Sequence, residues 1–212
     1  KEGISADRII KTGSPMNEVL KFYLDKIKQS SILKSLSLKK GAYFLVSSHR
    51  EENVDNPKKL DTLISTLNII AEKYNYPIIF STHPRTRKQL ETVKVSPSDK
   101  IKFLDPLGFI DYNALQLNSF IVLSDSGTIS EEASILNFKA INIRSSHERP
   151  EAMEEAVVMF TDLNLHHILR AVALLENTSL PKINEISVLD YRPDNVSDKI
   201  EKIILSYTNY VN

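Results

Sequence analysis

The 212-residue sequence predicts an α/β fold built on a doubly wound parallel sheet. Two observations point there. Short apolar runs lacking period-two alternation recur at 42–46 (AYFLV), 78–80 (IIF), 120–123 (FIVL) and 140–143 (AINI), as expected of strands covered on both faces. Helical patterns lie between them, and strands alternating with helices make βαβ units.

In chain order, Ile9-Ile10 reads as a first short strand, and 42–46 as the next. Asn56-Pro57 then offers an N-cap followed by proline at the first helical position. Leu60, Leu63, Ile64, Leu67, Ile70, Ala71 and Tyr74 follow at spacings of three and four, one stripe down a helix. The runs at 78–80, 120–123 and 140–143 are the remaining expected strands. His166-His167 sits in an amphipathic stretch with Leu163, Leu165, Ile168 and Leu169, and reads as a surface pair on a helix. Residues 177–193, with two prolines, read as a connector. Val196, Ile200, Ile203, Ile204 and Tyr207 mark a last helix within 194–212. The expected organisation is therefore a domain at 1–176, a connector at 177–193 and a C-terminal helix.

Composition narrows the function. Lys plus Arg and Asp plus Glu each number 27, so the formal charge is zero and the basic excess of a nucleic-acid binder is missing. With no cysteine there is no disulfide framework, thiolate nucleophile or cysteine metal site. The histidines lack the close pairing of a zinc site, so neither metal nor cofactor is expected. No apolar run approaches the roughly 20 residues of a membrane helix. The start, Lys1-Glu2-Gly3-Ile4, carries no Met or signal-peptide pattern and reads as a cut inside a longer protein. Only five glycines occur, so each is expected where the backbone needs one.

Each main strand runs into a chemically capable segment. These are Ser47-Ser48-His49-Arg50-Glu51-Glu52-Asn53, Ser81-Thr82-His83-Pro84-Arg85, Ser124-Asp125-Ser126-Gly127-Thr128, and Arg144-Ser145-Ser146-His147-Glu148-Arg149-Pro150. In a parallel sheet the carboxyl ends share one edge, where open α/β folds bind ligands. Gly127-Thr128 would open a helix whose first amides lack intrahelical partners, a site for phosphate. Ser126 and Thr128 add hydroxyls, and Arg50, Arg85, Arg144 and Arg149 add charge near the same edge. Glu132 lies one turn beyond Thr128, where a carboxylate suits a sugar diol. Phosphate plus diol is a nucleotide signature; the plainer alternative is that Ser126 merely caps a helix and Glu132 is solvated. The sequence contains no P-loop, G-x-G-x-x-G fingerprint or G-x-S-x-G elbow.

His49-Arg50-Glu51-Glu52-Asn53, Thr82-His83-Pro84, Asp125-Ser126-Gly127 with Glu131-Glu132-Ala133, and Glu148-Arg149-Pro150-Glu151 resemble, in order, the non-hydrolysing UDP-N-acetylglucosamine 2-epimerases. Gly13-Ser14-Pro15 resembles the segment with which that family's second domain begins, and the likeness spans about residues 3–170. Thr128 stands where the family usually has a second glycine, and Glu51 where it usually has a basic residue. These departures are similar to the capsule and O-antigen branches, which act on modified UDP-sugars such as the precursor of UDP-N-acetyl-L-fucosamine or a UDP-diacetamido-glucuronate.

The resemblance implies the C-terminal, Rossmann-like half of a two-domain GT-B-like fold, with the N-terminal half outside this chain. It implies UDP contacts from Ser126, Gly127, Thr128 and Arg149, ribose contacts from Glu132, and a uracil pocket around Phe109, Ile110 and Tyr112. It implies His49 as the catalytic residue at the breaking anomeric bond, with Arg50, His83 and Arg85 as phosphate or regulatory contacts. It further implies a cytoplasmic isomerase for surface-polysaccharide precursors, homodimeric at full length, with no nucleic-acid or membrane partner. The acid/base residues at C2 would lie in the other half, so this chain alone is expected not to epimerise. A GT-B glycosyltransferase using a UDP-sugar, and a domain that only binds nucleotide, stay open as alternatives.

Overall fold

The computed structural model describes residues 3–144, 149–180 and 188–207. It is an α/β structure with one six-stranded, all-parallel sheet: β1 (Phe44–Ser47), β2 (Ile78–Ser81), β3 (Ile101–Leu104), β4 (Ile121–Ser124), β5 (Ala140–Asn142) and β6 (Met159–Phe160). The helices are α1 (Met16–Gln29), α2 (Ile32–Ser35), α3 (Glu51–Val54), α4 (Pro57–Tyr74), α5 (Pro84–Leu90), α6 (Phe109–Asn118), α7 (Ile129–Leu136), α8 (Pro150–Glu154), α9 (Leu165–Asn177) and α10 (Val196–Tyr207). The strand order β3-β2-β1-β4-β5-β6 is that of a doubly wound Rossmann-type sheet. The winding reverses between β1 and β4.

Unbroken apolar strands follow from two covered faces. Phe44, Val46, Ile78, Phe80, Ile121 and Leu123 pack with α4 and with Ile168, Ala171 and Val172 of α9. The residues between them, Leu45, Ile79 and Val122, face the other way, onto Leu20 and Ile27 of α1, Leu115 of α6 and Ile129 of α7. All nine strand residues are fully buried. Each such side chain contributes about 1.5–3 kcal/mol relative to exposure. The stripe on α4 supplies Leu60, Leu63, Ile64, Leu67, Ile70 and Ala71 to the first layer. Asn56 caps that helix by accepting from the Lys58 and Lys59 amides, and Asn75 ends it in the left-handed region at φ 54°.

Three expectations change. Ile9 and Ile10 form no strand; they are 60% and 47% exposed, an apolar pair too short to compete for an edge. β3 was not anticipated, because Lys102 interrupts its apolar run at the sheet edge, and β6 is only two residues long. Gly108, at φ −65° with open space where a Cβ would stand, has no backbone need for glycine.

Gly13 does have one. Its φ is +90°, and an added Cβ would lie 2.8 Å from Pro193 Cγ and 3.2 Å from the Asp190 carbonyl oxygen. Ser14 N donates to that same carbonyl, and Asn17 Nδ2 donates to the Arg192 carbonyl at 2.8 Å. These contacts fasten the segment before α10 to the start of α1. Gly13→Ala is therefore expected to cost about 1–3 kcal/mol, from left-handed strain and the clash together. Thermal denaturation checks this; an unchanged midpoint would show that the junction gives way freely.

Candidate functional site at the sheet switch point

Polar residues end the central strands in register. Ser81, Ser47, Ser124 and Asn142 lie side by side across β2, β1, β4 and β5. The loops beyond β1 and β4 flank the switch point, where the diverging crossovers leave a crevice. The first carries His49 and the second Asp125, Ser126, Gly127 and Thr128.

Asp125 joins the two loops and is completely buried. Its carboxylate accepts from Ser48 Oγ at 2.8 Å and from the His49 amide, the Arg50 amide and Asn53 Nδ2, each at 3.1 Å. His49 Nδ1 stands 3.2 Å from Asp125 Oδ1, with the imidazole 43% exposed. The histidine thus has one ring nitrogen against a buried carboxylate while its ring remains open to a ligand. Asn53 Nδ2 also donates to the Ile143 carbonyl, and Thr86 Oγ1 to the Ser48 carbonyl, tying the His49 loop to β5 and α5. His49 caps no helix: Asn56 serves α4, and Arg50 occupies the N-cap position of α3.

The second loop opens α7. Thr128 sits at the N-cap in an ordinary right-handed conformation, φ −80°, and its side chain accepts from none of the helix's first amides. Those amides therefore retain their donors for an anion. Ser126 Oγ lies 3.0 Å from Thr128 Oγ1, so both hydroxyls stand at the same opening. Thr128 Oγ1 donates to Glu132 Oε1 at 2.8 Å, and Gln116 Nε2 donates to Glu132 Oε2 at 2.5 Å. Burial pushes the Glu132 carboxyl above its ordinary value, while the Gln116 and Thr128 bonds pull it back down. Tyr112 reaches the same cluster. Burial, reinforced by the Glu132 charge, keeps its phenol neutral at any physiological pH, with hydrogen bonding to Ser47 and Ser124 opposing the rise.

The remaining expected residues divide. Arg149 approaches Glu131 of α7 at 3.8 Å and lies 38% exposed, beside the α7 opening's helix. Arg144 is nearly buried, 3.8 Å from Glu52. Arg50 is half-buried on the Asp125-bound loop. Arg85 points to α3 instead, pairing with Glu51 at 2.7 Å and with Asp55, so its charge is committed to carboxylates. His83 is the N-cap of α5, its Nδ1 accepting from the Arg85 amide at 3.3 Å. Phe109 and Ile110 border a hollow shared with Val19 and Tyr23 of α1, whereas Tyr112 belongs to the Glu132 cluster. Residues 145–148, including His147, lie outside the described residues. His166 and His167 are exposed on α9, as their spacing suggested. Among the described residues no three His, Cys, Asp or Glu side chains converge as a metal site.

The structure brings together His49, Asp125, Ser126, Gly127, Thr128, Glu132 and Tyr112. Sequence reasoning quoted Asp125 and Asn53 within motifs without giving either a role, and passed over Gln116 entirely. A lone Asp after a buried strand was the available signal for the first; a glutamine inside a helix offers none.

The family model for UDP-N-acetylglucosamine 2-epimerase matches residues 1–205. The chain belongs to this family. A UDP-N-acetylglucosamine 2-epimerase from Methanococcus maripaludis is 35% identical over 164 residues, 73% of this chain and 44% of the relative. Among solved structures, the UDP-N-acetylglucosamine 2-epimerase from Rickettsia bellii superposes with a TM-score of 0.86 at 42% identity, covering 100% of this chain and 57% of that one. The Methanocaldococcus jannaschii UDP-GlcNAc 2-epimerase, solved with UDP-GlcNAc and UDP, superposes with a TM-score of 0.83 at 29% identity, over 96% of this chain and 56% of that one. This member of the epimerase family thus spans about half the length of the relatives it matches. No helix among its described residues is long and apolar enough to cross a membrane.

Proposed function

We propose that this chain is the UDP-binding, C-terminal half of a UDP-sugar 2-epimerase with a GT-B-like architecture. The observation that carries the reading is the α7 opening at the switch point. It offers unpartnered amides and the Ser126 hydroxyl for a diphosphate, with the Glu132 carboxylate, which takes the Thr128 hydroxyl proton, one turn further on for the ribose diol. Arg149 adds positive charge beside it. Tyr112, with Phe109 and Ile110 nearby on α6, provides the face for uracil.

The chemistry proceeds by elimination and re-addition. The C2–H and C1–O bonds break, UDP leaves with the bonding electrons of C1–O, and a C1=C2 double bond forms in a 2-acetamidoglycal. UDP then adds back at C1 while a proton returns to the other face of C2. His49, exposed at the crevice and backed by Asp125, stabilises or protonates the departing phosphate. The groups that move the C2 proton belong to the other half of the enzyme, and the whole acts in the cytoplasm as a homodimer. The domain ends near residue 176, and α10 follows the 177–193 connector.

The substrate class is a UDP-2-acetamido sugar, with UDP-N-acetylglucosamine the first to test. Incubated in D2O without any acceptor, the intact enzyme is expected to yield the C2 epimer carrying deuterium at C2, read by proton NMR. Sugar transfer that requires an acceptor, with no isotope at C2, would overturn this reading in favour of a glycosyltransferase. Glu132→Ala is expected to weaken UDP by about 1–3 kcal/mol, since ribose hydroxyls lose their acceptor. Equal affinity in calorimetric titration would remove Glu132 from the binding site.

A further inference from the structure

We propose that Gln116, acting with Thr128, is a positioning device for the Glu132 carboxylate and sets how strongly the site prefers a nucleotide with a free ribose diol. The inference rests on the reading of Glu132 as the diol's acceptor.

Gln116 is completely buried on α6, between Leu115 and Leu117 in sequence. Burying an amide costs free energy unless it is hydrogen-bonded. Its Nε2 is bonded, to Glu132 Oε2 at 2.5 Å, while its Oε1 has no hydrogen-bond partner. One end of the amide is thus left unsatisfied while the donor end is aimed at a carboxylate two elements away. Thr128 Oγ1 takes the other carboxylate oxygen at 2.8 Å. The two oxygens are therefore held from different sides, by α6 and by the N-cap of α7. A carboxylate oxygen accepts more than one bond, so both retain room for ribose hydroxyls. The clamp also reaches the anion donors, because Thr128 Oγ1 is 3.0 Å from Ser126 Oγ.

The pair should also govern ionisation. Burial disfavours the charged Glu132, and Glu131 on the same helix adds to that; the two donors favour it. The other ionisable groups facing this cluster are Tyr112 on α6 and Asp125 beyond β4, with Arg149 reaching Glu131. A diol needs the ionised carboxylate as acceptor. Affinity should therefore fall as pH drops through the Glu132 titration, and removing Gln116 should move that fall to higher pH.

The test titrates the intact protein with UDP and with 2′,3′-dideoxy-UDP across pH. The ratio of the two affinities cancels ionisation of the diphosphate, which both ligands share. Wild type is expected to prefer UDP. Gln116→Met is expected to weaken UDP about tenfold, the loss of one hydrogen bond to a charged group. It should leave the dideoxy ligand unchanged and shift the acid limb of the ratio upward in pH. Thr128→Val keeps the backbone amide and removes only the hydroxyl that Glu132 takes, so it should act in the same direction, and it decides by the same readouts if Gln116→Met does not fold. A wild-type ratio and pH profile in the variant would overturn the clamp while leaving Glu132 as the diol acceptor. Equal weakening of both ligands would likewise overturn it, as a general structural effect. A wild type that does not distinguish the two ligands would remove the diol reading and the clamp with it.

Discussion

Asp125→Asn is expected to destabilise the protein by about 3 kcal/mol or more and to abolish activity with it, because one carboxylate serves both loops of the site. Asp125 is fully buried and accepts from Ser48 Oγ, two backbone amides and Asn53 Nδ2, with His49 Nδ1 alongside. Asparagine has the same shape but presents an NH2 group to donors that need acceptors. At least one buried N–H or O–H then loses its partner, and the His49 loop loses its anchor. For a domain of this size, a loss of that order lowers the thermal midpoint by about 6–12 °C. An Asp125→Asn protein that melts with wild type and turns over at the wild-type rate would show that the loops are held by other contacts.

His49→Ala in the intact enzyme is expected to lower kcat by roughly 10²-fold or more, the range for general acid help to a leaving group. UDP affinity should change much less, because the α7 opening and Glu132 still supply the ligand's partners. Stability should also hold, since the imidazole is 43% exposed and caps no helix. Solvent deuterium incorporation at C2 should slow together with epimerisation if proton and UDP leave in one step. Exchange and epimerisation at the wild-type rate would deny His49 a catalytic role. Parallel loss of UDP binding and thermal stability would make it a structural residue.

Much of the fold was legible because burial on both faces leaves an unmistakable pattern. Phe44, Leu45 and Val46 face opposite layers in turn, and all three had to be apolar. The α4 stripe and its Asn56-Pro57 start were legible for the same reason: local capping and tertiary packing agree there. The edges were not. Lys102 can sit in β3 because an edge strand tolerates a solvated side chain, and such a strand hides among loops. Ile9-Ile10 misled in the opposite direction, being apolar without an element to cover it.

The candidate site divides along similar lines. His49, Ser126, Gly127, Thr128 and Glu132 could be read from where they stand relative to strands, since a parallel sheet sends all its carboxyl ends to one edge. Which of those groups meet is a tertiary matter. Nothing local announces that Asp125 gathers the amides of a loop 75 residues earlier, or that Gln116 crosses from α6 to a carboxylate on α7. Arg85 shows the converse. Its position after β2 suggested phosphate, yet Glu51 and Asp55 of the neighbouring loop take its guanidinium.

Every role proposed for this chain requires that the α7 opening with Glu132 hold UDP. Calorimetric titration of the 212-residue chain with UDP, in EDTA, tests this most directly. Amides, the Ser126 hydroxyl and a guanidinium supply the partners for the diphosphate, so saturable binding with an accompanying rise in thermal midpoint is expected without a divalent ion. No heat and no thermal shift at millimolar UDP would contradict it.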